Sequence, residues 1–158
     1  MLFDSYIGKI LLTFGVAMMP VLELRGAIPV GVAHGLDFWT AIGVSIVGNL
    51  VPVPFILLFI RKIFAWMKKT NTKFHSLVDK LESRAERKSE TVKKYEFWGL
   101  VILVAIPLPG TGAWTGALVA AMLNMRLKRA VPAIVLGVLG AAVIVSFATY
   151  GVGELLFK

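Results

Sequence analysis

Glu23 and Arg25 stand two residues apart in the segment Pro20-Val21-Leu22-Glu23-Leu24-Arg25-Gly26-Ala27-Ile28-Pro29, flanked by apolar chain. They are the only ionisable residues that the hydropathy pattern places at membrane depth. An unpaired charge there costs at least about 2.5–3.5 kcal/mol on insertion scales, so such residues are usually paired and functional. A carboxylate in that setting can exchange a proton, as a coupling site requires. Arg25 stays charged and offers a planar fork suited to phosphate or carboxylate. The alternative reading is a structural ion pair that holds two elements in register.

A second segment combines polar and helix-breaking residues in the same way: Pro107-Leu108-Pro109-Gly110-Thr111-Gly112-Ala113-Trp114-Thr115-Gly116. Pro107 and Pro109 remove donors, and Gly110 and Gly112 permit left-handed backbone, so this stretch is expected to be unwound. Free backbone N–H groups, with the hydroxyls of Thr111 and Thr115, could then coordinate an anion. Trp114 offers an amphipathic wall or a cation–π face. The glycines could equally serve close packing against the first segment. Asn49 lies in Gly48-Asn49-Leu50-Val51-Pro52, where it either lines a path or bonds between helices. Asn124 and Ser146 invite the same two readings.

Nothing in the chain resembles a catalytic constellation: G-x-S-x-G, H-E-x-x-H, a P-loop and paired intramembrane carboxylates are all absent from the sequence. The expectation is therefore a protein that is not an enzyme and has no cofactor. His34 and His75 lack any spacing that suggests a metal, and there is no cysteine.

The elements that must position these residues follow from composition. The chain has 158 residues with 58% hydrophobic content and a mean hydropathy of +0.81. A soluble domain is ordinarily about 45–50% apolar, so the pattern points to a polytopic membrane protein. Tyr6–Met19 and Val30–Leu36 are short apolar arms around the first break. Phe38–Ile60 is a charge-free run long enough to span a bilayer. Phe97–Ile106 and Ala117–Met125 flank the second break, and Ala130–Phe157 gives a second span, charge-free as far as Glu154. The first apolar run lacks a basic leader and has Asp4 upstream, so it is expected to remain in the mature protein.

Residues 61–96 are rich in Lys, Arg, Glu and Ser. Phe74, Leu77, Val78, Leu81 and Ala85 recur at helical spacing there, which predicts an amphipathic surface helix. Eleven of the 17 Lys and Arg residues fall between Arg61 and Lys94, and Arg126, Lys128 and Arg129 form a second cluster. A single crossing by residues 97–125 would put the clusters on opposite faces, against the positive-inside rule. A re-entrant hairpin keeps both in the cytoplasm. The same logic makes residues 6–36 a hairpin opening on the other face.

The expected fold is thus an all-α integral membrane protein, an inverted repeat of two re-entrant helical hairpins, each followed by one transmembrane helix. Its parts are a hairpin over 6–36, a span over 38–60, a cytoplasmic linker helix over 61–96, a hairpin over 97–125 and a span over 130–153. Both termini lie outside the cytoplasm on this reading. Two breaks in corresponding places are the sequence pointer to a transporter binding site. A homodimer is expected to bury the broken backbone. The basic residues follow membrane topology and do not indicate nucleic acid.

ELRGAIPVG, the Gly48-Asn49 pair and PLPGTGAWTG resemble the small multi-drug export protein family of bacteria and archaea, over essentially the whole chain. The resemblance implies that Glu23, Arg25, Gly26 and Pro29 match the first signature. Pro107, Pro109, Gly110, Thr111, Gly112, Trp114 and Gly116 match the second. The architecture is also similar to DedA-like proteins, which are implicated in moving lipid phosphates such as undecaprenyl phosphate across the inner membrane. Those proteins carry acidic and Arg residues in both halves, whereas this second hairpin has none. Three functions follow as expectations. The first is a proton-linked flippase of an anionic amphiphile. The second is an exporter of lipophilic cations, and the third a non-transporting scaffold.

Overall fold

A computed structural model describes residues 5–70, 75–76, 79–80, 83 and 90–156. The regular elements among them are all helical: α1 (Tyr6–Met18), α2 (Glu23–Ala33), α3 (Phe38–Leu50), α4 (Pro52–Thr70), α5 (Glu90–Ala105), α6 (Ala113–Met122) and α7 (Leu127–Leu156). The apolar stripe expected at Phe74, Leu77, Val78, Leu81 and Ala85 lies outside the described residues.

Ser5 starts α1 by accepting the Gly8 N–H, and Asp37 starts α3 by accepting the Thr40 N–H at 2.9 Å. The arms α2 and α6 end alike. At Gly35 (φ +81°) and Asn124 (φ +51°) the chain turns left-handed. The next N–H, of Leu36 or Met125, bonds back to the carbonyl of Gly31 or Ala120. Leu36 and Met125 bury their side chains, completing a Schellman cap in each half. Asn124 is thus a helix terminator.

The first span differs from its expected limit. Only the single residue Val51 separates α3 from α4, and the helix continues ten residues past Ile60 to Thr70. Arg61 and Lys62 are strong helix formers followed by Ile63, Phe64, Ala65 and Trp66, so nothing there stops the helix. Among the described residues, two helical stretches are long and apolar enough to cross a bilayer, Phe38–Met67 and Leu127–Gly151. Large apolar side chains such as Val21, Phe55, Phe59, Ile102, Met122 and Phe147 stand exposed around the bundle. A water-soluble monomer rarely shows so much. The fold is that of an all-helical membrane protein.

Among the described residues, α1, α2 and α6 are shorter, at 13, 11 and 10 residues. At about 1.5 Å per residue, α1 and α2 reach roughly 20 and 16 Å, against a hydrocarbon core of about 30 Å. Contacts fix where they lie against the long helices. Tyr6 at the start of α1 donates to Asp37 beside the start of α3. The other end of α1 abuts Gly48, where a Cβ would lie 2.9 Å from the Ala17 Cβ and the Phe14 carbonyl. Gly48 is about a third of the way along the α3–α4 rod, and α2 returns until Gly31 meets Ala41. In the second half, α5 ends about a third of the way along α7, where a Cβ on Gly137 would lie 2.5 Å from that of Val104. Phe38 stacks edge-on against Tyr150 with ring centroids 5.0 Å apart, so α7 runs antiparallel to α3. The α1–α2 turn and the α5–α6 loop therefore both lie partway along the two long helices.

Candidate functional site

The breaks meet there, and each is narrower than the sequence suggests. The first spans only residues 19–22, and the second residues 106–112. Gly26 and Pro29, expected in unwound chain, lie inside α2. Pro29 removes one N–H, but the bonds of Gly26 to the Leu22 carbonyl and of His34 to that of Val30 hold the helix on either side. Trp114, Thr115 and Gly116 likewise form the first turn of α6.

Glu23 is the first residue of α2 and has φ +49°. A non-glycine residue in that region costs on the order of 1–3 kcal/mol and persists only when its surroundings fix it. What fixes Glu23 is the other half of the molecule. Its side chain is 2% exposed, and Oε1 accepts the backbone N–H of Trp114 at 3.1 Å. Gly112, the residue capping α6, has no side chain to do this. Glu23 thus acts as the N-cap of a helix 90 residues away, with its charge at the positive end of the α6 dipole.

Arg25 holds the other side of the same loop. Nη2 donates to Thr111 Oγ1 at 2.8 Å, and Nη1 donates to the Leu108 carbonyl. The Thr111 hydroxyl in turn donates to the Ile106 carbonyl at 2.6 Å and accepts the Leu108 N–H. Trp114 closes the arrangement by donating Nε1–H to the Met18 carbonyl, the last residue of α1. Arg25 Nη2 lies 3.9 Å from Glu23 Oε2, an ionic contact longer than a hydrogen bond. Glu23 and Arg25 act as a clamp across two chain breaks, with each member held chiefly by the second half.

Of the residues singled out by sequence, the structure brings together Glu23, Arg25, Thr111, Gly112 and Trp114. Gly112 (φ +118°) lies against the Glu23 carboxylate: a Cβ there would fall 1.9 Å from Oε2. Gly110 (φ +82°) has open space around its Cβ position. Pro107 is half-buried and Pro109 exposed in the loop, where they keep it out of helix. Thr115 is half-buried in α6 and is not among the groups that Glu23 and Arg25 hold. Pro29 faces outward. Asn49 is wholly buried on α3, with neither Oδ1 nor Nδ2 hydrogen-bonded. It is not bonded to the clamp.

One residue was missed. Arg61 in α4 donates Nη2–H to the Met125 carbonyl in the loop that follows α6. This fastens the far end of the second helix pair to the first half, as Arg25 fastens the near end. The sequence places Arg61 at the edge of a basic linker. Its one signal was that it is the first cation after a 23-residue apolar run. Arg61→Gln should keep the helix but lose the charge-assisted bond, lowering stability by about 1.5–3 kcal/mol. Thermal unfolding in nanodiscs would measure this, with Lys62→Gln as the surface control.

No curated protein and no solved structure matches the chain significantly. A family model does match, and its region, residues 23–144, opens on Glu23 and takes in the whole second break. By that match the chain belongs to the small multi-drug export protein family.

Proposed function

We propose that this membrane protein is a proton-linked transporter whose substrate competes with Glu23 for the clamp. Its two hairpins are re-entrant and form an inverted repeat, each with one span. The observation that carries this reading is the Glu23 carboxylate seated on the α6 N-terminus beside Arg25. A helix N-terminus next to a guanidinium is a ready anion site, and here the protein's own carboxylate fills it. A proton on Glu23 would neutralise that carboxylate and weaken its hold on the Trp114 N–H. An incoming anion could then take the N–H and the Arg25 fork. Loss of the proton would restore the carboxylate and expel the anion, which couples the two movements.

The substrate proposed is an anionic amphiphile, with a polyprenyl phosphate such as undecaprenyl phosphate as the chemical type. Arg25 supports an anion, and the apolar surroundings support a lipid tail. A second reading is export of lipophilic cations. It is favoured by Glu23 Oε2, which has no hydrogen-bond partner and could trade its proton for a cation. A homodimer belongs to the proposal because Leu108, Pro109 and Gly110 at the second tip stand exposed. The site lies in the inner membrane on this reading, with the linker in the cytoplasm and both termini outside it.

The test is translocation of a labelled polyprenyl phosphate in proteoliposomes at two pH values. Wild type should translocate, faster at the lower pH. Glu23→Gln should lose the pH response, and Arg25→Ala should lose translocation. If intact wild-type protein moves no lipid phosphate but drives a cationic dye along a proton gradient, the second reading replaces the first.

A further inference from the structure

A groove between α3 and α7 lies apart from the clamp and encloses about 570 Å³. Ligand sites for small molecules occupy roughly 300–1,000 Å³ and pair apolar walls with a few polar groups. Four of the ten residues lining this groove are aromatic: Phe38, Trp39, Phe147 and Tyr150. Phe38 makes edge-on contacts with both Trp39 and Tyr150, so the rings form a connected rim. None of the residues lining the groove is charged at neutral pH. Asp37, next to Phe38, has its carboxylate engaged by the Thr40 N–H and the Tyr6 hydroxyl.

Tyr150 and Trp39 are exposed, so the buried polar group of the wall is Ser146. It is 8% exposed, and its Oγ has no hydrogen-bond partner. A serine in a membrane helix normally bonds back to the carbonyl four residues earlier. Thr149, one turn further along α7, does so with the Val145 carbonyl at 2.8 Å. Ser146 does not, and an unmet hydroxyl in an apolar wall costs about 1–3 kcal/mol. An alkyl chain could fill the groove but could not satisfy this group.

We infer that the groove is a second binding site, for an uncharged flat aromatic molecule bearing one hydrogen-bonding group. The rings hold its body, Ser146 meets its polar atom, and the lack of charge in the lining selects against ions. Trp39 and Phe147 are exposed on the outer surface, so access is from the bilayer. Because α3 and α7 belong to different halves, a bound molecule bridges them. The inference does not depend on the transport reading.

Benzophenone is a suitable probe, being uncharged and aromatic, with one carbonyl acceptor and the ability to insert into C–H bonds on irradiation. The full chain in nanodiscs would be irradiated with rising concentrations and the adducts mapped by mass spectrometry. Saturable labelling concentrated on residues 38–46 and 139–150 is expected. Val143→Trp should block it, and folding should survive because Val143 lines the groove yet is 56% exposed. Ser146→Ala should weaken it about fivefold, the worth of one neutral hydrogen bond. Glu23→Gln should leave it unchanged, which separates this site from the clamp. Unsaturable labelling spread equally over lipid-facing positions such as Phe55 and Ile102 would overturn the inference. So would groove labelling indifferent to Val143→Trp, since the groove would then hold only bilayer chains.

Discussion

Gly112→Ala should disable transport and cost about 3 kcal/mol or more of stability, although it adds one methyl group. Two penalties combine. At φ +118° an L side chain is strained by on the order of 1–3 kcal/mol. The new Cβ would also stand 1.9 Å from Glu23 Oε2, 2.7 Å from its Cδ and 2.9 Å from Arg25 Nη2. Those are the ends of two side chains, so they can move, but only by leaving the groups they hold. The Trp114 N–H would lose its acceptor, and a buried carboxylate would lose its donor. Gly110→Ala separates the two effects. Its φ of +82° carries a similar backbone strain with nothing within 4 Å of the Cβ position. Thermal unfolding of both variants in nanodiscs should show a much larger loss for Gly112. Equal losses would mean that the carboxylate is not tightly seated, and the clamp would fail as an account of the site.

The comparison of glycines shows what the sequence could reveal. Proline and glycine mark where a helix stops because their effects act within a residue or two, so both breaks were legible to within a few positions. Their widths were not. Pro29 looked like a breaker, yet a single missing N–H in an apolar helix is tolerated when the bonds around it survive. That Glu23 and Arg25 need partners was legible because charge at membrane depth is costly. Their partners were not. Glu23 bonds to a residue 91 positions away, and whether its partner was Arg25, an anion or a backbone N–H depended on how the hairpins meet. Thr111 and Thr115 were indistinguishable by type, and one turn of helix gave the Arg25 contact to Thr111 alone. Arg61 was hidden by its basic neighbours, because a charge cluster masks the one member that binds a backbone carbonyl.

The size of the Glu23–Arg25 contribution follows from what each would leave behind. In Glu23→Leu the Trp114 N–H is uncapped and Arg25, 17% exposed, keeps a partly buried positive charge without its counter-charge. Breaking a buried pair on one side costs about 3–5 kcal/mol. Glu23→Gln keeps an acceptor oxygen for Trp114 and should cost nearer 1 kcal/mol, the ordinary worth of a cap. In Arg25→Leu the loop loses bonds at Leu108 and Thr111, and the carboxylate loses the one guanidinium within 4 Å. The double variant Glu23→Leu/Arg25→Leu leaves no orphaned charge. It should be more stable than the sum of the singles implies, by about 0.5–3 kcal/mol of coupling. Denaturant or thermal unfolding of the four proteins closes that cycle. Strict additivity would show that the two side chains act separately, each only on the second half, and the 3.9 Å contact between them would then contribute nothing. Coupling in stability alongside loss of the pH response in Glu23→Gln would tie the clamp that holds the halves together to the group proposed to exchange the proton. Opening the clamp and loading the substrate would then be one event.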